Sequence, residues 1–307
     1  MPLRKLADEN QMSLGATYRR IENELETLPD NSSLSRNYCN RWSGRLVIDG
    51  KYVRVKGYQK KIPFIYGIDY LTHDIPVGLL APSENYFAYV KLFSLLKSIN
   101  YPLQLAVADE NAPLEKALFL SYPRAKLQLC HNHYLENIRE SLLVRTAEEF
   151  QGFFFRLRQA FRAEIVSQKR QALFHDIYQD YVLDQNREQE KEILKIIMIE
   201  IQRNYNKLFA YQNNGNDYFP HSPQTTNIVE SYNSHLQGRL KSIKGFESFY
   251  SAKRFLNAWL IRRRTKTLTD CNKKFKHLNG FTPLQMSLKR GLSYPQINGV
   301  NPPKKHP

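Results

Sequence analysis

RLVIDGKYVRV, residues 45–55, has the pattern of a β-strand with an acid in its apolar run. It is rich in β-branched residues, which favour strands. A carboxylate in an otherwise apolar strand is costly unless it is paired or binds a metal ion. Asp49 could also point to solvent at the end of the strand, so this acid alone does not distinguish a site residue from a surface residue.

The residues that follow predict an α/β order. Two more strand patterns, at 61–71 and 75–82, are separated by a Thr72-His73-Asp74 turn, which predicts a three-stranded meander. Helix and strand patterns then alternate over 84–98, 103–109, 112–121 and 125–130. The order βββαβαβ predicts an α/β fold with a mixed five-stranded sheet.

Two later acids sit at places where a site is plausible. Asp109 follows the apolar run LAVA (105–108), and open α/β sheets place their sites at the carboxyl ends of such strands. Aspartate is also a common helix cap, and a helix is expected near Ala112. Glu230 lies in TTNIVESYN (225–233); with Asn227 as N-cap it would occupy the third helical position and imitate a capping box. Each acid alone therefore has an ordinary structural explanation.

Together the three acids predict a metal-dependent nuclease site. Mg²⁺ takes oxygen ligands, usually a few carboxylates and a substrate phosphate. Two such ions stabilise both the attacking and the leaving oxygen of an in-line phosphoryl displacement, and this requires carboxylates from separate elements. We therefore expect Asp49, Asp109 and Glu230 to be catalytic ligands of Mg²⁺ or Mn²⁺.

The charge balance favours a polyanionic partner. The 307 residues include 45 Lys+Arg and 29 Asp+Glu, a formal net charge of +16, which attracts a phosphate backbone. A basic protein need not bind nucleic acid, but this surplus is concentrated in residues 236–290, which hold 14 basic residues and two acids. We expect 256–307 to be a basic helical tail, with helices to about 290 and an extended or disordered segment at 293–307. The predicted DNA contacts in this part of the chain are Arg239, Lys241, Lys244, Arg262, Arg263 and Arg264.

The N-terminus predicts a helix-turn-helix over residues 1–26. Leu3, Leu6 and Ala7 share one helical face, and Ser13 is a good N-cap for a second helix. The pattern resembles the helix-turn-helix of resolvases and insertion-sequence transposases, with Arg19 and Arg20 as DNA contacts. Gln11 stands where that motif usually has glycine, at a cost of about 1 kcal/mol in a left-handed turn. A plain amphipathic hairpin is the alternative, and the polar segment 27–44 is predicted to be a linker.

A long segment without helix breakers follows the last predicted strand. Between 124 and 214 there is no proline and a single glycine, Gly152. Amphipathic patterns such as FFFRLRQAF and EILKIIMIEIQ predict several helices. We expect an all-α insertion over 134–224, ending in a loop at 215–224.

Several protein classes are excluded. Three cysteines without framework spacing argue against a secreted disulfide scaffold. No apolar run approaches the ~20 residues of a membrane span, so we expect no membrane partner and a cytoplasmic, nucleoid-associated location if the host is prokaryotic. The phosphate-binding loop, serine-hydrolase and zinc-protease motifs are all missing.

Residues 45–255 resemble the DDE transposases of bacterial insertion sequences with a Cys-x2-His signature, which are related to the Mutator-like element (MULE) transposase domain. The matching segments are LVIDGKYVRV, AVADENAPLEKAL, Cys130-His131-Asn132-His133 and TTNIVESYNSHLQGRLKSIKGFES. The resemblance implies an RNase H-like core, 45–133 and 225–255, interrupted by the helical insertion. It also implies metal-dependent cleavage of double-stranded DNA at transposon ends, then attack of the freed 3′-hydroxyl on target DNA, by a homodimer or larger assembly on DNA.

Two questions stay open at this stage. Cys130 and His133 would form half of a zinc site, but no second Cys/His pair lies nearby to complete four ligands; we expect them to position the following helix or to contact a DNA phosphate. The chain could also be a catalytically inactive, transposase-derived DNA-binding protein, or a structure-specific RNase H-like nuclease that cuts without joining. The intact set of three acids argues against the inactive form.

Overall fold

The computed structural model describes residues 3–183, 191–212 and 222–301. The chain divides into two compact units. Unit 1 comprises Met1–Leu103, Pro113–Pro123 and Asn227–Pro307, and unit 2 comprises Gln104–Ala112 and Arg124–Thr226. Most of the loop predicted at 215–224, and the tail from 302 onward, lie outside the described residues.

An antiparallel meander of three strands forms the sheet of unit 1. The strands are β1 (Arg45–Val53), β2 (Ile62–Asp69) and β3 (Val77–Leu80), and β2 pairs with both of the others. In this register Asp49 lies opposite Tyr66. Every residue of β2 is buried, because β2 is flanked by strands on both sides and is built almost entirely from apolar residues.

Helices surround this meander in unit 1. The helices are α1 (Leu3–Glu9), α2 (Leu14–Thr27), α3 (Asn31–Tyr38), α4 (Tyr86–Ser98), α5 (Ala112–Ser121), α10 (Asn227–Ile243), α11 (Phe249–Thr265) and α12 (Pro283–Ser287). The ring of Trp259 in α11 meets the rings of Phe64 and Tyr66 in β2 at 6.2 and 5.5 Å between centroids. Aromatic packing of this kind fixes the sheet against its covering helices.

The N-terminal residues form two helices, α1 and α2, joined by a short turn. The turn between α1 and α2 places Gln11 in the left-handed region, with a φ of 52°. The Ser13 side chain caps α2 by accepting a hydrogen bond from the backbone N–H of Ala16. Arg254 of α11 forms ion pairs with Glu22 and Glu26 of α2, which ties the second helix to the rest of unit 1.

The segment 27–44 is not a plain linker, which corrects the prediction. Asp30 caps α3 by accepting hydrogen bonds from the N–H groups of Ser32 and Ser33. Inside the protein, Asn31 donates to the carbonyl of Ile75 at 3.2 Å, and Ser35 donates to Pro76 at 2.7 Å. Short polar side chains favour loops when only the sequence is considered, but here Asn31 and Ser35 donate hydrogen bonds to backbone carbonyls of unit 1.

The predicted boundary at residue 256 falls inside α11. Leu256, Leu260 and Ile261 are buried, so this helix belongs to the core of unit 1 and is not an appended tail. After α11 the described chain contains a 3₁₀ turn at Lys273–Leu278 and the short α12, and 293–301 has no helix or strand. Of the 14 basic residues in 236–290, eight lie on α10, on α11 or between these helices, and six follow α11.

A parallel strand pair followed by helices forms unit 2. Strand β4 (Leu105–Ala108) pairs with β5 (Lys126–Leu129), with Ala108 opposite Leu129. The helices are α6 (His131–Ser141), α7 (Gln151–Ala160), α8 (Ser167–Val182) and α9 (Lys191–Leu208). Unit 2 thus contains two predicted core strands as well as the helices, and the described part of 134–224 is helical as expected. The chain as a whole has strands in both antiparallel and parallel pairs together with many helices, which confirms the mixed α/β class.

Candidate functional site

The first acid, Asp49, is half-buried near the middle of β1 and held by two nitrogen donors. One carboxylate oxygen accepts from the N–H of Gly50 at 2.6 Å, and the other accepts from the side-chain amide of Asn233 at 2.7 Å. The amide oxygen of Asn233 accepts in turn from the Tyr66 hydroxyl at 2.9 Å. Both of these nitrogens donate to the carboxylate, and such hydrogen bonds favour its ionised form.

Tyr66 is the buried end of this hydrogen-bond chain. Burial, and then the charge of Asp49, raise the pKa of Tyr66 well above its ordinary value. The phenol therefore stays protonated and donates to Asn233. This fixes the orientation of the amide, because its oxygen must accept from Tyr66 while its nitrogen donates to Asp49.

The third predicted acid, Glu230, lies in the first turn of α10 and is half-buried. The helix begins at Asn227, so Glu230 is the fourth helical residue and not the third. Asn233 follows three residues later, and residues three apart lie on the same face of a helix. The structure thus places Glu230 on the face of α10 that contacts β1 through the Asn233–Asp49 hydrogen bond.

The second predicted acid, Asp109, follows β4 in unit 2. Its carboxylate lies 2.6 Å from Nδ1 of His133, and both side chains remain 42% exposed. The same ring nitrogen lies 3.3 Å from the sulfur of Cys130, which immediately precedes α6. The Cys-x2-His signature is therefore joined directly to the predicted catalytic acid of its own unit.

Thr226 completes this cluster in unit 2. Its hydroxyl donates to the Cys130 sulfur at 3.2 Å and lies 3.3 Å from Nδ1 of His133, and its N–H lies 3.4 Å from the same sulfur. Burial raises the pKa of the Cys130 thiol, and the hydrogen bond from Thr226 opposes this shift in part. Cys130 is therefore a protonated thiol at neutral pH unless a cation displaces its proton.

Sequence reasoning missed Asn233 and Thr226. The spacing of Asn233 from Glu230 was available, because a predicted α10 places them on one face. The role of Thr226 had no local signal, because Thr226 contacts His133 and Cys130, which precede it by 93 and 96 positions in the sequence.

Residues 44–266 match the sequence profile of a family described as Transposase, Mutator family. The chain belongs to the Mutator family of transposases. The matched region spans well over half of the 307 residues and includes Asp49, Asp109, Cys130, His133 and Glu230. Among curated proteins, no sequence similar to the chain was found.

Family membership makes the chain a transposase, a protein that acts on DNA. Among the described residues of this transposase, no helix is long and apolar enough to cross a membrane. The conspicuous surplus of positive charge is consistent with a DNA substrate.

The predicted DNA-binding side chains of this transposase differ in availability. Arg263 is half-buried, with its guanidinium 4.2 Å from the ring of Tyr232. Arg264 is fully buried and bonds Asp74 through Nε and Nη2 at 2.7 and 2.8 Å. The prediction that Arg264 contacts DNA is therefore wrong, because a buried, paired guanidinium does not reach a phosphate. The predicted contacts that are exposed are Arg19, Arg20, Arg239, Lys241, Lys244 and Arg262.

The donor sets of the two units suit different cations. In unit 1, Asp49 and Glu230 offer half-buried carboxylate oxygens, which are the ligands that Mg²⁺ and Mn²⁺ prefer. In unit 2, one ligand atom each from Asp109, Cys130 and His133 lie within 4.8 Å of one another. That second set mixes oxygen, sulfur and nitrogen.

Proposed function

We propose that this transposase cuts DNA at the ends of a mobile element and joins them to target DNA through a DDE triad of Asp49, Asp109 and Glu230. The observation that carries the proposal is the 2.7 Å hydrogen bond from Asn233 to Asp49. It links the strand that bears the first acid to the helix that bears the third, and all three acids lie within the family match.

The acids would hold divalent cations, Mg²⁺ or Mn²⁺. When bound, such ions lower the pKa of a water or 3′-hydroxyl nucleophile and neutralise charge at the phosphorus. The contribution of the protein is to keep the carboxylates ionised and oriented. The Gly50 N–H and the Asn233 amide keep Asp49 ionised and oriented, because both donate hydrogen bonds to its carboxylate.

DNA would be bound by exposed cations near these acids in the sequence. Arg239 and Lys241 lie on α10 after Glu230, and Lys244 follows the helix directly. These side chains suit phosphate contacts, which supply affinity without sequence information. The helix pair α1–α2, with exposed Arg19 and Arg20, would read the element ends. We expect a homodimer or larger assembly on DNA, because two ends must be processed.

The decisive experiment compares three substitutions with a matched control. Asp49→Asn, Asp109→Asn and Glu230→Gln each remove one charge and keep the size of the side chain. We expect Mg²⁺-dependent nicking of end-containing DNA to fall at least about 100-fold in each, since loss of one ligand removes several kcal/mol of transition-state stabilisation. DNA affinity should be retained. Glu247→Gln is the control, because Glu247 is an exposed acid paired with Lys56.

The DNA that flanks the gene supplies the substrate, and inverted repeats there would identify the element ends. Wild-type protein that binds these ends but cuts nothing with either Mg²⁺ or Mn²⁺ would make the chain an inactive DNA-binding relative. Cutting without strand joining would make it a structure-specific nuclease. Equal loss of nicking and of DNA affinity in the Asp109→Asn variant would give that acid a structural role.

A further inference from the structure

The Asp109–Cys130–His133 cluster of unit 2 has a donor set that the proposed DNA chemistry does not require. Mg²⁺ sites use oxygen ligands, whereas this cluster adds a thiol and an imidazole. The three ligand atoms come from the end of β4 and the start of α6, and none of the distances between them exceeds 4.8 Å. A single cation can contact all three with only small side-chain adjustments.

Ligand chemistry selects the cation. Thiolate ligands favour Zn²⁺ and related soft ions over Mg²⁺, and imidazole also suits Zn²⁺. Three protein ligands with a fourth position open to water are a common zinc arrangement. The third ligand is Asp109, which lies close to Cys130 and His133 in space but not in sequence. A search of the sequence for a second Cys/His pair therefore misses it.

Thr226 is placed to support such a site from outside the ligand set. Its hydroxyl and N–H both reach the Cys130 sulfur, at 3.2 and 3.4 Å. Hydrogen bonds to a metal-bound thiolate orient it and stabilise its charge. The Cys130 sulfur thus already accepts two hydrogen bonds from Thr226 that a metal-bound thiolate would use.

We propose that unit 2 binds a thiophilic divalent cation of the Zn²⁺ type through Cys130, His133 and Asp109, and that this ion inhibits the Mg²⁺-dependent reaction. The inhibition follows because Asp109 cannot bind the Zn²⁺-type ion and a catalytic Mg²⁺ ion at the same time. The inhibition, unlike the cation site itself, rests on the proposed function. Binding releases the Cys130 proton to solvent and involves no redox step.

Cobalt substitution tests the site without reference to activity. Purified full-length protein is titrated with Co²⁺, whose tetrahedral complexes absorb in the visible and whose thiolate bonds add a near-ultraviolet charge-transfer band. We expect both signals in the wild-type protein and their displacement by Zn²⁺. Cys130→Ser should lose the charge-transfer band, and His133→Ala should bind at least about 10-fold more weakly. Cys271→Ser, the matched control at a half-buried cysteine, should behave as wild type.

Failure of the cobalt test is unambiguous. A wild-type protein without a charge-transfer band, or a Cys130→Ser variant that keeps it, overturns the site. Asp109→Asn then tests the shared ligand. A cobalt spectrum and affinity unchanged in this variant would remove Asp109 from the ligand set and overturn the competition.

Inhibition is measured as nicking at fixed Mg²⁺ with rising Zn²⁺, relative to the zinc-free rate of each protein. We expect wild type and Cys271→Ser to be inhibited and to recover on zinc chelation, and Cys130→Ser to need at least about 10-fold more Zn²⁺. If Zn²⁺ binds but does not inhibit nicking, the proposed competition for Asp109 is wrong and the cation site is retained. If no protein nicks DNA, the proposed function fails, and the cobalt spectra still decide the cation site.

Discussion

Asp74 and Asp49 are two acids of unit 1 with opposite surroundings. Asp74 is fully buried and pairs with Arg264, and it also accepts from Ser287 and from the N–H of Ile75. Asp49 is half-buried and is held by neutral donors, one from Gly50 and one from Asn233. The Asp74 carboxylate is paired with a guanidinium inside the protein, whereas the Asp49 side chain is only half-buried and accepts hydrogen bonds from a backbone N–H and an amide.

Asp74 therefore contributes mainly to stability, whereas Asp49 is available for chemistry. A buried ion pair costs desolvation that its partners only offset, so removing one partner leaves an expensive charge. A half-exposed carboxylate held by hydrogen bonds stays ionised at little cost and can bind a cation. Substitutions around Asp74 should therefore change the free energy of unfolding, and substitutions around Asp49 should change activity.

The largest effect is expected from Arg264→Ala. The substitution leaves the Asp74 carboxylate buried without its cation, which should lower the free energy of unfolding by roughly 3–5 kcal/mol. Arg262→Ala, two residues away on the exposed side of α11, should change it by less than about 0.5 kcal/mol. Urea denaturation measures both. Equal losses in the two variants would mean that the buried pair has no special role.

The next effect is pH dependence from His73, which neighbours Asp74 in sequence. Burial, and then the charge of His277, lower the pKa of His73 to about 4. The unfolded chain, with a pKa near 6.5, therefore binds a proton before the folded chain does. Stability from this group is full above about pH 6.5 and falls as the pH drops to about 4, by up to about 3 kcal/mol.

His73→Asn tests this contribution, because asparagine does not titrate and tolerates the left-handed backbone at this position, where φ is 57°. We expect the free energy of unfolding to depend less steeply on pH between 6.5 and 4 in the variant. An unchanged slope would assign the acid sensitivity elsewhere, for example to His131 of unit 2, whose pKa burial also lowers to about 4.

A smaller, mixed effect is expected from Asn233→Ala. The variant loses the donor to Asp49 and the 2.9 Å acceptor of the Tyr66 hydroxyl, which keeps a longer contact of 3.5 Å to the Val229 carbonyl. This should cost about 1–3 kcal/mol of stability. Nicking should fall about 10-fold and need more Mg²⁺, because Asp49 is less well oriented. Ser234→Ala is the control, since Ser234 is exposed and its hydroxyl donates to the carbonyl of Glu230 in its own helix. A stability loss with unchanged Mg²⁺ dependence would make Asn233 purely structural.

The smallest effect is expected from Arg262→Ala in DNA binding. Loss of one phosphate contact should reduce the slope of log affinity against log salt by about 0.9, equally for element ends and random duplex DNA. Arg262→Lys keeps the charge and should keep the slope. A loss confined to element ends would mean that Arg262 reads sequence or DNA shape.

Local patterns predicted the parts of the fold that depend on local physics. The strands around Asp49 and Asp109 follow from β-branched and apolar runs, and the Thr72–Asp74 turn follows from its polar residues. The helical segment after Cys130 follows from the near absence of helix breakers.

The failures come from side chains whose role depends on distant partners. Arg264 was grouped with Arg262 and Arg263 by composition, although its spacing of four from Leu260, and of eight from Leu256, places it on the buried stripe of α11. Helix α3 was missed because the acceptors of its polar side chains lie in residues 75 and 76. Asn233 and Thr226 were missed because their site contacts are separated by 184 and 96 residues.

The separation of Asn233 from Asp49 also has a consequence for protein synthesis. A ribosome that adds 5–20 residues per second needs roughly 10–40 s to extend the chain from the first acid to the amide that orients it. During that interval β1 is present without α10, while the N-terminal helices have already been made. If α1 and α2 bind DNA as proposed, they are made before the helix that orients the first acid, and a product truncated before residue 233 would lack both Asn233 and the α11 partner of α2.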